Sequence, residues 1–255
     1  MDLGIAGRVA LVTGASSGIG EAVALGLAAE GVKLAVAARR REKLEEVARQ
    51  AAAAGAAQAR AFVTDQTDAS APARLVAEVE AQLGGVDILV VNGGGPRPGT
   101  YLQMAPADWD AAYTLTLKSA LGLVDAVIKG MRARRWGRIV ALESTSVKQP
   151  IPTLVLSNAF RTAAVAAFKT LSREVAADGV TVNSIATGLV ETDRFRSIYS
   201  TPEQREAAAQ RVPAGRAATP SEYAPLVCFL CGEPAGYVTG QTISVDGGLT
   251  LGLFG

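Results

Sequence analysis

The chain has 255 residues, a formal net charge of +1 and 49% hydrophobic content, the profile of one large domain with a substantial core. That balance gives no electrostatic reason to expect a nucleic acid or an anionic membrane as partner, and no apolar run approaches the ~20 residues of a membrane span. Histidine is absent and cysteine occurs twice, which removes imidazole catalysis and leaves any zinc site short of ligands.

Met1-Asp2-Leu3-Gly4 begins with an acid and runs straight towards the first strand. It does not read as a signal peptide, so a cytoplasmic protein is the expectation. Val9-Ala10-Leu11-Val12 reads as a buried parallel strand. Thr13-Gly14-Ala15-Ser16-Ser17-Gly18-Ile19-Gly20 follows, and Ala22 to Ala29 then carries the apolar density of a helix packed on a sheet. Glycines where a strand turns into a helix N-terminus let backbone N–H groups approach a pyrophosphate, whose charge the helix dipole favours. The spacing is Gly-x-x-x-Gly-x-Gly rather than the usual Gly-x-Gly-x-x-Gly. A glycine-rich turn without a ligand is the alternative.

Lys33 to Ala38 is a second strand, followed by Arg39-Arg40-Arg41 and a helix to about Ala54. Ala59 to Val63 is a third strand ending at Thr64-Asp65-Gln66, and a helix spans Pro72 to Leu83. Val86 to Val91 is a fourth strand, ending in the glycine- and proline-rich loop Asn92 to Gly99. A long helix covers Pro106 to Arg134, then a strand Arg138 to Leu142, a helix about Leu154 to Ala177, and a strand Val180 to Ile185. Glu191 to Arg216 is polar and irregular, with one short helix expected around Pro202 to Gln210. Thr219-Pro220-Ser221-Glu222 matches a capping box, and Pro225 in the second turn predicts a kink or a late start. Cys228 and Cys231 lie in an apolar helix end, where small buried hydrophobes are the better reading. Gln241 to Val245 is a seventh strand. The alternation predicts a doubly wound, Rossmann-type α/β fold: a single domain over residues 1–255 with a seven-stranded, mostly parallel sheet covered by helices on both faces. A variable lid is expected at about residues 192–216.

With Thr-Gly-x-x-x-Gly-Ile-Gly at the first turn, this order of elements resembles the short-chain dehydrogenase/reductase family over nearly the whole chain. Asn92-Gly93-Gly94 is similar to the family's Asn-Ala-Gly, and Val182 to Gly188 to its segment ending in Pro-Gly, with Thr187 in place of proline. Tyr237-Val238-Thr239-Gly240-Gln241 and Asp246-Gly247-Gly248 match the C-terminal pattern. The resemblance implies a nicotinamide cofactor bound by Gly14, Ser16, Ser17, Gly18, Ile19 and Gly20 at the first turn. Asp65 and Gln66 at the adenine, Asn92, Gly93, Gly94 and Thr116, and Thr187, Gly188, Val190 and Thr192 complete the set. Where family members that use NAD commonly carry an aspartate, this chain has Ala38 followed by Arg39 and Arg40. A 2′-phosphate explains two arginines at a helix N-terminus, so NADP is favoured over NAD; a solvated basic turn is the alternative.

The family's active site uses asparagine, serine, tyrosine and lysine, the last two as Tyr-x-x-x-Lys. Here the serine position is Ser144, but the others are Thr116, Ser157 and Arg161. Positions 157 and 161 project from one helix face. A serine hydroxyl is a poor proton donor beside a phenol, and an arginine holds its proton. Ser157 then fills space while Arg161 anchors the cofactor's ribose. Glu143, Ser144 and Lys148, at or just beyond the end of strand five, are candidates for the missing proton transfer; a solvated loop lysine is the alternative for Lys148. Tyr101, Tyr113 and Tyr199 have no assigned place. The catalytic set is therefore Ser144, Ser157, Arg161 and Lys148, with no metal. Two functions follow: an NADP-dependent oxidoreductase on a carbonyl or alcohol, or a catalytically silent nucleotide-binding sensor or subunit. Arg97, Lys148, Arg161, Arg194 and Arg196 bordering the mouth suggest an anionic small-molecule substrate, with solvent-facing charge the alternative. Ala163, Ala164, Ala166 and Ala167 are small enough for close helix contact, and with the family's habit they predict a homo-tetramer.

Overall fold

The computed structural model describes residues 1–253. Seven strands form one sheet in the order β3-β2-β1-β4-β5-β6-β7: β1 (Val9–Thr13), β2 (Lys33–Ala38), β3 (Gln58–Val63), β4 (Ile88–Val91), β5 (Gly137–Ser144), β6 (Val180–Thr187) and β7 (Thr242–Val245). Every pairing is parallel, so the sheet is wholly rather than mostly parallel. The five inner strands are buried on both faces because their side chains alternate between two cores, while the edge strands β3 and β7 are only partly covered. Ala10, Val12, Leu34, Val36, Val140 and Leu142 face one core. Val9, Leu11, Ala35, Ala37, Ile139 and Ala141 face the other.

Helices α1 (Gly18–Ala29), α2 (Arg41–Ala54) and α9 (Pro220–Leu230) cover the first face. Helices α3 (Ala71–Leu83), α5 (Ser119–Arg134) and α6 (Val155–Val175) cover the second. Chain order reverses between β1 and β4, which opens a crevice beyond their C-terminal ends, where doubly wound sheets bind ligands. At the α1–α9 contact a Cβ on Gly26 would sit 2.8 Å from Cys228 Sγ. Burial pushes the Cys228 thiol up to about 12 and holds the Cys231 thiol well above its ordinary value, so both act as inert packing groups.

Four expectations change. The stretch expected as one regular helix from Pro106 to Arg134 is α4 (Pro106–Ala112), a π-helical segment Tyr113–Lys118, and α5. By length and composition this helical stretch could cross a membrane, although no single apolar run signals it. Here it packs Leu123, Val124, Val127 and Met131 into the second core. The stretch expected as a lid holds two short helices, α7 (Asp193–Ile198) and α8 (Pro202–Ala209), not one. Thr192 and Thr201 cap them through 3.2 Å bonds from Phe195 N and Gln204 N. Helix α9 starts at Pro220 rather than late, because Thr219 and Glu222 complete the capping box. Pro225 is tolerated because it and Ser221, whose carbonyl it leaves unbonded, lie on the exposed side. Finally, Ala164 is fully buried in the sheet-facing core, leaving Ala163 and Ala166 exposed on the outer face of α6.

Candidate active site

The first turn is shaped by what its glycines lack. Gly14 and Gly18 have φ of +59° and +61°, the left-handed region. A Cβ on Gly20 would lie 2.3 Å from Gly14 O and 2.7 Å from Asn92 Nδ2, so only glycine lets α1 begin this close to β1 and β4. Thr13 locks the two strand ends together: its hydroxyl donates to Asn92 O at 2.7 Å and accepts from Asn92 N at 2.9 Å. Asn92 Nδ2 donates to Gly14 O at 3.2 Å, and Gln66 Nε2 to Asn92 O at 3.0 Å. A Cβ on Gly93 would meet Gln66 Oε1 at 2.5 Å. Turn, β4 loop and Gln66 thus form one knitted floor.

Arg40 spans this turn, donating to Ser16 Oγ at 3.0 Å and Ser17 Oγ at 2.8 Å. Arg39 is exposed at the end of β2. Asp65 accepts from the Thr67 amide and hydroxyl, which with the nearby Arg39 charge hold its carboxyl below the ordinary value. The turn fits a pyrophosphate, since its tight glycine backbone leaves N–H groups accessible at a helix N-terminus. Arg39 and Arg40 fit an additional phosphate beside it.

At the end of β5, Ser144 Oγ accepts from Ser146 N at 3.1 Å. Its own proton stays free to donate. Ser157, on the first turn of α6, is buried with its Oγ 3.3 Å from Ser146 Oγ. One turn on, Arg161 Nη1 donates to Leu142 O at 3.1 Å and Glu143 Oε2 at 2.8 Å. The Glu143 and Arg161 side chains are only 4% and 13% exposed. Burial raises the Glu143 carboxyl above its ordinary value, and Arg161 only partly offsets this. Part of the Arg161 fork is therefore occupied by protein, where sequence reasoning had it facing the ribose alone. Thr116 lies in the π-helical segment, its buried hydroxyl without a partner among the described residues. It borders a void of about 20 Å³ shared with Asn92, Glu143 and Arg161, the size of one water. Lys148 is half-buried; its amide donates to Thr145 O at 3.0 Å, but no hydrogen bond or ion pair joins its side-chain ammonium to Arg161 or to another described residue.

The far wall is the segment after β6. Thr187 Oγ1 lies 2.6 Å from the hydroxyl of the fully buried Tyr223, whose phenol burial pushes well above its ordinary value. A Cβ on Gly188 would sit 2.5 Å from Asp246 Cα. Val190 is buried and bridged to Ala218. Thr192 Cγ2 would lie 3.0 Å from a Cβ on Gly18, so the segment after β6 lies against the glycine turn. Between them runs a cleft of about 460 Å³ lined by Ser17, Gly18, Thr192 and Arg196. Arg194 reaches across to Pro96 O at 2.8 Å.

A family model described as enoyl-(acyl carrier protein) reductase matches residues 14–250. The 3-oxoacyl-[acyl-carrier-protein] reductase FabG of Escherichia coli is 34% identical over 245 residues, 96% of this chain and 98% of that one. This chain belongs to the short-chain dehydrogenase/reductase family. As a member of that family it is an NAD(P)-dependent oxidoreductase. L-sorbose reductase from Gluconobacter frateurii, solved with NADPH and L-sorbose, superposes with a TM-score of 0.92 at 33% identity over 98% of this chain and 100% of that one. A 3-oxoacyl (acyl-carrier-protein) reductase from Agrobacterium tumefaciens with NADP bound gives 0.92 at 31%, over 97% and 96%. No such likeness supports the silent sensor or subunit.

Against the short-chain dehydrogenase/reductase pattern, the structure puts Ser144, Ser157, Arg161 and Thr116 around one shelf, with Lys148 on the loop after it. No tyrosine among the described residues stands in for the missing phenol. Tyr101 stacks edge-on to Trp109 and Tyr113 packs on Phe160, both exposed. Tyr199 packs on Phe195, Tyr237 is fully exposed, and Tyr223 is held by Thr187. Sequence reasoning missed the Glu143–Arg161 pair, although Glu143 shares the strand parity of the buried Ile139 and Ala141. It also missed the Thr187–Tyr223 bond and the Arg194–Pro96 bridge, which join segments far apart in sequence.

Proposed function

We propose that this chain reduces a carbonyl compound bearing an anionic group, using NADP(H), through a rebuilt version of the family's catalytic shelf. One observation supports the cofactor reading above the others: the Gly14–Gly20 turn, closed so tightly that position 20 has no room for a Cβ, is flanked by Arg39 and Arg40. NADP(H) bound there supplies the hydride. Gly14, Ser16, Ser17, Gly18, Ile19 and Gly20 hold the pyrophosphate side, Arg39 and Arg40 the 2′-phosphate, and Asp65 and Gln66 the adenine side. Asn92, Gly93, Gly94, Thr116, Arg161, Thr187, Gly188, Val190 and Thr192 enclose the nicotinamide half.

Ser144 keeps its acceptor side on the Ser146 amide, so its proton is directed to the substrate's carbonyl oxygen. Ser157 lines the shelf and orders Ser146. Arg161 stays charged and moves no proton; with Glu143 it forms a neutral, rigid fork on the cofactor side. Lys148, a half-buried ammonium free of protein partners among the described residues, delivers the proton to the developing alkoxide. A cytoplasmic homo-tetramer is the assembled form. Supporting it are the small exposed residues Ala163 and Ala166 on α6, beside the half-buried Phe160 and the exposed Tyr113 and Tyr101.

The test is titration of NADPH and NADH into the wild type and Arg39→Asp, with turnover read on a panel of carbonyl compounds. Hydrogen bonds to a charged phosphate predict a preference for NADPH of at least about tenfold, reversed in the variant. Equal affinities in the wild type would overturn the NADP assignment.

A further inference from the structure

Of the five cations around the site mouth, three are already neutralised. Arg97 pairs with Asp108 at 3.2 Å and also donates to Gln103 O. Arg161 pairs with Glu143 at 2.8 Å. Arg196 pairs with Asp193 at 3.4 Å on the exposed side of α7. Lys148 is without a partner among the described residues, but it is a compact, mobile ammonium already given a part in the chemistry. Arg194 is the remaining case.

Arg194 is half-buried and pairs with no carboxylate among the described residues. Among the described residues its guanidinium donates one hydrogen bond, from Nη2 to Pro96 O at 2.8 Å. Burial and the neighbouring charge of Arg161 both push it below its ordinary value, so holding it here without an anion is unfavourable. A neutral donor would satisfy one carbonyl without that penalty. Space for it is supplied by Gly95, where a Cβ would stand 2.9 Å from Nη2 and 3.1 Å from Nε. Gly95 and Pro96 directly follow Asn92-Gly93-Gly94 at the end of β4. That strand pairs with β5, whose last residue is Ser144. The fork is thus held by the lid against the edge where the carbonyl is to be reduced.

We infer that Arg194 binds a carboxylate of the substrate through the part of its fork left free by Pro96, and so makes this chain selective for oxo acids. A planar guanidinium matches the two oxygens of a carboxylate, and this geometry is what a lysine would not offer. The cofactor's phosphates have their own partners, at the Gly14–Gly20 turn and at Arg39 and Arg40. The inference rests on the reductase reading above and deepens it by naming the substrate class and the residue that selects it.

Pyruvate, acetoacetate and levulinate, each against its methyl ester, are offered with NADPH to the wild type, Arg194→Lys and Arg194→Met. The readout is the ratio of kcat/KM for acid over ester, in which a general loss of activity cancels. The wild type is expected to favour at least one acid by about ten- to a hundredfold, the range for a hydrogen bond to a charged group. In Arg194→Met the ratio falls to near unity, with Arg194→Lys between, while the NADPH dissociation constant moves by less than about threefold. A wild-type ratio near unity for all pairs overturns the inference and leaves the reductase standing. So does a ratio untouched by Arg194→Met, or a loss of NADPH affinity as large as the change in ratio. If no pair turns over, calorimetric binding of the three acids, with and without NADPH, decides. Acid binding lost in Arg194→Met supports the assignment and absence of acid binding overturns it. Failure of NADPH to bind counts against the reductase reading alone.

Discussion

Arg161→Met tests the pair on which the shelf is built. In the wild type a carboxylate and a guanidinium, 4% and 13% exposed, meet at 2.8 Å, with Leu142 O taking a second bond from the same nitrogen. Removing the cation leaves Glu143 charged in a buried site, and breaking a buried pair typically costs about 3–5 kcal/mol. Glu143 limits that cost by taking up a proton. Its folded pKa already lies above the ordinary value, so between the unfolded and folded pKa the native state binds more protons. Stability from this group is therefore fully present below the unfolded carboxylate range and is lost as pH rises through the folded pKa. Without Arg161 the folded pKa climbs further and the loss extends to higher pH. Urea unfolding at about pH 5 and about pH 8 should show the gap between wild type and variant widening with pH. Glu143→Gln in the Arg161→Met background should recover a large part of the loss at the higher pH, giving a non-additive double-mutant cycle. A gap below about 1 kcal/mol that ignores pH, the size of an exposed pair, would refute the reasoning.

Gly20→Ala puts a Cβ 2.3 Å from Gly14 O. The turn must open, at a stability cost of about 1–3 kcal/mol, and NADPH affinity should fall; a fluorescence titration matching the wild type would contradict this. Ser157→Ala should be mild because an aliphatic hydroxyl is a weak acid. Lys148→Met should lose about 10²–10⁴-fold in kcat, as for a missing general acid. An inactive Ser157→Ala beside a healthy Lys148→Met would reverse the two roles. Sedimentation velocity at micromolar concentration should give a tetramer, and a monomer boundary there would remove the assembly proposal.

The doubly wound sheet was legible because its information is local and repeated. Apolar runs such as Val9–Val12 and Ile88–Val91 alternate with helical segments, and glycine spacing at one strand end marks the turn where a side chain cannot fit. The length of the fifth and sixth strands was less legible. Glu143, Ser144 and Thr187 are polar, yet they remain in the ladder, held by the pairings Glu143–Ala186 and Ser144–Thr187. The break in the long helix escaped notice for a related reason, since Tyr113–Lys118 has no proline or glycine to announce it.

By itself, the sequence determined the order of elements, the glycine turn after the first strand and the substitution of three of the four family positions, because each depends on residue type and spacing along one chain. Only the tertiary structure decided what those substitutions amount to. It brings Glu143 from β5 onto Arg161 from α6, turns Tyr223 of α9 towards Thr187 of β6, and sets Arg194 of α7 on Pro96 beyond β4. Each is a hydrogen bond between residues 18 to 98 positions apart. Whether a polar side chain is paired, dry or free depends on which strand or helix lies opposite it, and no local pattern carries that.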